Sequence, residues 1–123
     1  MTRINVGVKP SELNGKMLIA EHREIKRIPN VVKSGRYSLA GQPKEFKLGA
    51  GHVKFFYDKL EFLRKRYESI YAECIGRGYQ VTYFGDCFVD CPKELMNDYK
   101  PTKQDRELVL LRIAERMNNP KTE

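Results

Sequence analysis

The sequence predicts an all-α fold: three segments carry helical periodicity or helix-end signals, and no pair of strand-like runs exists to start a sheet. The one strand-like run, Tyr79-Gln80-Val81-Thr82-Tyr83-Phe84, has no second of its kind to pair with. With 123 residues, the chain has room for one hydrophobic core, so residues 1–123 read as a single domain.

The first helical segment begins near Ser11, after Pro10, and runs to about Ile28 or a turn beyond, where Pro29-Asn30 disturbs it. At about 100° per residue, Leu13, Met17, Ala20, Ile25, Ile28 and Val32 fall on one arc. Glu24 sits near the middle of that arc, and Glu21 lies on it as well. An ionised carboxylate in an apolar face is costly unless it is paired or partly solvated. Lys16, Arg23 and Arg27 form a basic strip just beside the arc. Two readings follow. Either glutamate forms a salt bridge to one of those bases, or a carboxylate stands at the bottom of a positively lined cleft. Periodicity separates neither the readings nor the two glutamates.

A turn-rich stretch, Ser34 to Lys47, leads to the second segment, which follows Gly49-Ala50-Gly51 and ends at Gly76-Arg77-Gly78. Val53, Phe56, Leu60, Leu63, Tyr67, Ile70 and Cys74 recur at steps of three and four and make one apolar stripe. Lys54, Asp58, Glu61, Lys65 and Glu68 take the other face, and Arg64-Lys65-Arg66 reads as solvated in preference to a phosphate contact. Tyr79 to Lys100 is irregular. The third segment starts after Pro101, with Thr102 as N-cap and Asp105 three residues on, in the manner of a capping box.

Composition narrows the function classes. The hydrophobic fraction, 41%, contains no run near the roughly 18 apolar residues of a spanning helix. The opening Met-Thr-Arg-Ile-Asn leads into no secretory core, so a cytoplasmic location is expected. The net charge of +7 is concentrated between Arg3 and Arg66, which suggests a polyanion partner. Three cysteines, Cys74, Cys87 and Cys91, form no disulfide framework and read as free thiols. His22 and His52 show no ligand spacing to them or to each other, so no metal site is expected.

At Thr2-Arg3-Ile4-Asn5, at Ala20-Glu21-His22-Arg23-Glu24, and along the block from Leu48-Gly49-Ala50-Gly51-His52 through Phe55-Phe56-Tyr57-Asp58-Lys59-Leu60 to Arg64-Lys65-Arg66, the chain resembles the phage pyrimidine-dimer DNA glycosylase/AP lyase family, the phage endonuclease V type. The similarity continues through Ala72-Glu73-Cys74 and Arg77-Gly78, then returns faintly at Asp98-Tyr99 with Pro101 and at Arg112-Ile113-Ala114 with Arg116. The resemblance implies three main helices with the N-terminal segment threaded between them. It implies that the α-amine of Thr2, exposed once Met1 is removed, is the nucleophile, and that Glu24 is the essential carboxylate. Arg3, Arg23, Arg27 and Arg112 are then expected to contact DNA, and Lys16 and His22 stand at positions grouped with them.

The implied chemistry is sound. An α-amine has a reference pKa of about 7.7–8.0, well below a lysine side chain at about 10.4, so a useful fraction is neutral near pH 7. Attack at C1′ displaces the damaged base, the resulting imine acidifies the C2′ proton, and β-elimination cuts the strand. Glu24 would stabilise positive charge on the sugar and assist proton movement. No cofactor is needed. The expected partner is damaged double-stranded DNA, met by a monomer in the cytoplasm of the host cell if the protein is phage-encoded.

The chain departs from the family pattern in places. Lys16-Met17 replaces polar residues that include a histidine, His22 stands where the family has a tyrosine, and Tyr67 where it has a glutamine near the DNA. The final Asn118-Asn119-Pro120-Lys121-Thr122-Glu123 has no counterpart to the family's aromatic, basic tail. These departures leave two alternatives: a non-catalytic DNA-binding relative, or a lyase of the same mechanism acting on another lesion or on abasic sites alone.

Overall fold

The computed structural model describes residues 2–117. Met1, whose removal would expose the Thr2 amine, and the tail from Asn118 to Glu123 lie outside the described residues. Among the described residues five helices occur in the order α1 (Gly15–Glu24), α2 (Arg27–Lys33), α3 (His52–Phe55), α4 (Leu60–Gly76) and α5 (Lys103–Met117). Single 3-10 turns lie at Pro10–Glu12, Gly85–Phe88 and Lys93–Leu95. The described residues contain no strand, only one isolated antiparallel pairing of Lys59 with Met96. The strand-like run Tyr79–Phe84, which has no partner in the sequence, forms no strand, and the fold is all-α.

The first helical segment differs from expectation at both ends of α1. It starts later, because Asn14 is its N-cap and accepts a hydrogen bond from the Met17 amide. It also stops at Glu24, and α2 begins at Arg27. Proline explains the break. In a continuous helix Pro29 would have no N–H for the Ile25 carbonyl, and its ring would collide with it. Restarting at Arg27 places Pro29 in a first turn, where a missing donor costs nothing.

Leu13, Ile25, Ile28 and Val32 of the expected arc are buried, but within α1 the buried face lies to one side of it. Leu18, Glu21, His22 and Ile25 are buried, and Met17, Ala20 and Glu24 become its partly exposed margin. Of the two glutamates, Glu24 meets Arg23 of the basic strip at 3.4 Å, whereas the partner of Glu21 is Arg66 of α4.

The second segment is divided as well. A turn at residues 56–59 separates α3 from α4, although the apolar stripe runs through it and Phe56 is fully buried. Side chains from elsewhere satisfy the freed backbone. Gln42 Nε2 donates to the Lys54 and Phe55 carbonyls, Lys59 Nζ donates to the Phe55 carbonyl, and Asn97 Nδ2 donates to the Asp58 carbonyl. The end of α4 matches its glycine signal. Gly78 has φ +83°, the Tyr79 amide donates to the Cys74 carbonyl and the Gly78 amide to that of Ile75, which together make a Schellman cap. The capping box of α5 closes reciprocally between Thr102 and Asp105.

One core joins these elements: Ile4, Val6 and Val8 from the N-terminal segment, Leu18, Ile25 and Ile28 from α1 and α2, and Leu60, Leu63, Tyr67 and Ile70 from α4. All three cysteines are free thiols, with Cys74 fully buried.

Candidate active site

Alternation in Ile4-Asn5-Val6-Gly7-Val8 makes the N-terminal segment an inserted strip: all three aliphatic residues are 0–1% exposed. With no strand beside it, the strip turns its Val6 and Val8 amides to its own Ile4 and Asn5 carbonyls and must find further partners on side chains. It finds them on four helices. The Ile4 amide donates to His52 Nε2 of α3 (2.9 Å), and Asn5 Nδ2 donates to Glu21 Oε1 of α1 (2.7 Å). Arg66 of α4 donates to the Val8 carbonyl (2.9 Å), and Arg106 of α5 donates to the Gly7 carbonyl (2.9 Å). The N-terminal segment is thus threaded between the helices, and Thr2 and Arg3 emerge where it leaves them.

Glu21 is the charged centre of this clamp. Its carboxylate is 1% exposed and accepts from Arg66 Nε, from Arg66 Nη2 at 3.0 Å and from Asn5. It is therefore committed to structure. Glu24, one turn on, is free of that network. Its side chain is 13% exposed and meets Arg23 Nη2 at 3.4 Å.

Two adjoining cavities meet at the end of the N-terminal segment. The first, of about 310 Å³, is lined by Glu24, Glu21, Asn5, Asn14, Lys16 and Met17 on one side and by Arg112 and Arg116 of α5 on the other. The second, also about 310 Å³, is lined by Thr2, the Gly49–Gly51 turn, His52 and Lys54. Arg3 and Arg112 belong to both walls. Thr2 and Glu24 thus stand at adjacent cavities across a shared pair of guanidinium groups.

The electrostatics of that junction are strongly positive. Burial and the neighbouring Arg112 and Arg116 charges lower the Arg3 pKa, while Glu24 works in the opposite direction. Burial and Arg116 lower that of Arg112 in the same way. Three cations held this close repel one another, and an anion entering between them relieves the repulsion.

Of the residues singled out from sequence, Thr2, Arg3, Lys16, Glu24 and Arg112 line the two cavities. Arg23 is 57% exposed and reaches back to Glu24, and Arg27 is exposed outside both linings. His22, grouped with the expected DNA contacts, lines neither cavity. It is 3% exposed, with Nε2 3.0 Å from the Tyr67 hydroxyl and its ring against Phe84. Burial lowers its pKa, against a hydrogen bond to the Thr82 backbone. Two departures from the family pattern, His22 and Tyr67, are therefore partners in one packed layer, with Tyr67 also accepting from the Phe84 amide.

The run Arg64-Lys65-Arg66 divides likewise. Arg64 pairs with Glu61 and Lys65 with Asp98, as surface residues do, but Arg66 is 9% exposed and serves the clamp. Its position, three residues after Leu63 and four before Ile70, was the available signal that it faces inward. Asn5, Asn14 and His52 carried no such signal, because what makes them part of the site is a remote partner or a cap. Arg116 follows Arg112 by one helical turn, a spacing that puts both on one face.

Among the described residues no three His, Cys, Asp or Glu side chains converge as metal ligands, and no helix is long and apolar enough to cross a membrane. A family model described as pyrimidine dimer DNA glycosylase matches residues 1–84. The matched part contains Thr2, Glu21, Glu24, His52 and Arg66; α5, with Arg112 and Arg116, lies beyond it.

Proposed function

The chain belongs to the pyrimidine dimer DNA glycosylase family, and on that premise we propose that it is a bifunctional DNA glycosylase and AP lyase whose nucleophile is the α-amine of Thr2. The observation that carries this reading is the junction of the two cavities: Thr2 and Glu24 lie on either side of Arg3 and Arg112. A terminal amine beside the Arg3 and Arg112 charges is more easily deprotonated than one in water, because each cation disfavours another.

In the first step the neutral amine forms a bond to C1′ of the damaged nucleotide while the bond from C1′ to the base breaks, the electron pair leaving with the base. The Glu24 carboxylate stabilises the positive charge that builds on the sugar. The attached nitrogen loses a proton, the C1′–O4′ bond opens with protonation of O4′, and an imine results. Removal of a C2′ proton then expels the 3′ phosphate with its bonding pair, and water releases the enzyme from the shortened strand. In this reading Glu24 also carries protons in these later steps. Arg3, Lys16, Arg112 and Arg116 hold the phosphates flanking a nucleotide drawn out of the stack, and Arg23 and Arg27 extend that surface along α1 and α2.

The test incubates protein processed to Thr2 with irradiated, abasic-site and undamaged duplexes, with and without borohydride. Nicking and a trapped covalent adduct on irradiated duplex are expected, both lost when the terminus is acetylated. In Glu24→Gln, strand cutting should fall by roughly a hundredfold or more while duplex binding persists. Nicking that survives acetylation would overturn the role of the amine. Cutting at abasic sites alone would restrict the activity to the lyase half.

A further inference from the structure

We infer that His52 is a positioning residue for the Thr2 amine: the ring, wedged between the Ile4 amide and the Lys47 carbonyl, ties the chain two residues from the reacting nitrogen. The inference rests on the reading of Thr2 as nucleophile.

Ile4 is fully buried, and its amide donates to His52 Nε2 at 2.9 Å. Two residues separate that amide from the Thr2 nitrogen, a contour of about 7 Å. Over so short a contour, looseness at Ile4 adds to displacement of the nitrogen, and a displacement of about 1 Å in a reacting group can cost roughly a hundredfold in rate.

The tie is also specific in its chemistry. His52 Nδ1 lies 2.8 Å from the Lys47 carbonyl, which can only accept, so Nδ1 carries the proton. Nε2 then bears the lone pair that the Ile4 N–H requires. Only the neutral ring does both. A doubly protonated ring would set an N–H against the Ile4 N–H, with no water at hand, because His52 is 4% exposed.

Everything that faces the ring decides its charge. Phe46 and Phe56 pack edge-on against it at 5.5 and 5.3 Å between centroids. Burial is the main influence holding its pKa below the ordinary imidazole value. The Lys47 carbonyl opposes it, Arg112 of α5 and Arg3 of the N-terminal segment add to it, and Glu21 of α1 opposes it. The acceptor is thus intact at every pH at which a useful fraction of the amine is neutral, and it is lost as the pH falls below the imidazole range. Anchor and nucleophile are disabled by protons in the same direction.

Two variants separate this role from simple packing. Asparagine can place a donor near the Nδ1 position and leaves Ile4 without an acceptor; glutamine can place a non-titrating oxygen near the Nε2 position. Single-turnover borohydride trapping is measured on an abasic-site duplex between pH 5 and 8, alongside duplex binding and the Ile4 amide resonance. His52→Asn should trap roughly tenfold to a hundredfold more slowly with duplex affinity retained. His52→Gln should restore trapping toward the wild-type rate near neutral pH and should lack the steeper acid loss of the wild type, which should track the shift of its Ile4 resonance. If the amide spectrum shows that His52→Asn does not fold, the comparison of His52→Gln with wild type in acid decides. Coincident acid profiles, or equal trapping by folded His52→Asn and wild type, would overturn the role of His52 and leave the Thr2 chemistry standing. A wild type that forms no adduct at any pH would remove the nucleophile itself, and this inference with it.

Discussion

Glu21 of α1 and Arg66 of α4, forty-five residues apart in the chain, form an ion pair whose side chains are only 1% and 9% exposed. The same two residues hold the N-terminal segment at Asn5 and Val8. The pair therefore links the packing of two helices to the placement of the chain end, which is why an enclosed carboxylate so close to Glu24 is no rival to it for chemistry.

Breaking that pair should be costly. Arg66→Met leaves a carboxylate enclosed without its cation, and a loss of about 3–5 kcal/mol in urea unfolding is expected. Adding Glu21→Leu should recover part of the loss by removing the orphaned charge. The double variant still lacks the ties at Asn5 and Val8, so its borohydride trapping should stay impaired. Full recovery of trapping would refute the clamp.

Gly7 is required by shape and by conformation. Its φ is +79°, and a Cβ there would lie 2.9 Å from Arg106 Cβ. Gly7→Ala should destabilise the fold by roughly 1–3 kcal/mol through backbone strain and collision with α5. Thermal unfolding measures it, and an unchanged midpoint would contradict the close approach.

Arg106 also reaches outward to Glu12, with Nη1 at 2.8 Å from one carboxylate oxygen and Nη2 at 2.6 Å from the other. The Arg106 hydrogen bonds, then the Lys9 amide, hold the Glu12 carboxyl at about 2, against an ordinary 4.5. A depressed carboxylate contributes stability that is complete above its ordinary value and is lost as pH falls through the lowered one. The Glu12 carboxyl resonance should accordingly titrate near 2 in wild type, and Arg106→Gln should move the midpoint back toward 4.5. No movement would mean that the pair does not persist in solution.

Arg112 and Arg116 should act on DNA through charge. Replacing either with Gln should weaken binding to damaged and undamaged duplex alike and reduce the slope of log affinity against log salt by about one. A loss confined to damaged duplex would instead place that arginine on the lesion.

Local chemistry was readable in advance. Thr102 and Asp105 cap α5 and Gly78 ends α4, because each device closes within a few residues. Pro29 announced a break in the first segment, but its consequence falls four residues earlier, at the carbonyl it would have met. The turn at residues 56–59 gave no warning, since the stripe from Val53 to Cys74 runs through it and the groups that stabilise the break, Gln42 and Asn97, lie far away in sequence.

The candidate site divides along the same line. That a carboxylate on the first helix stood beside a basic strip was evident from the residues themselves, because side-chain direction on a helix follows from position number. Which glutamate is enclosed and which faces the cleft depended on Arg66, and the burial of His22 depended on Tyr67 and Phe84. Periodicity assigns a side chain to a face; only the packed chain supplies the distant partner that neutralises a charge there or leaves it facing open space.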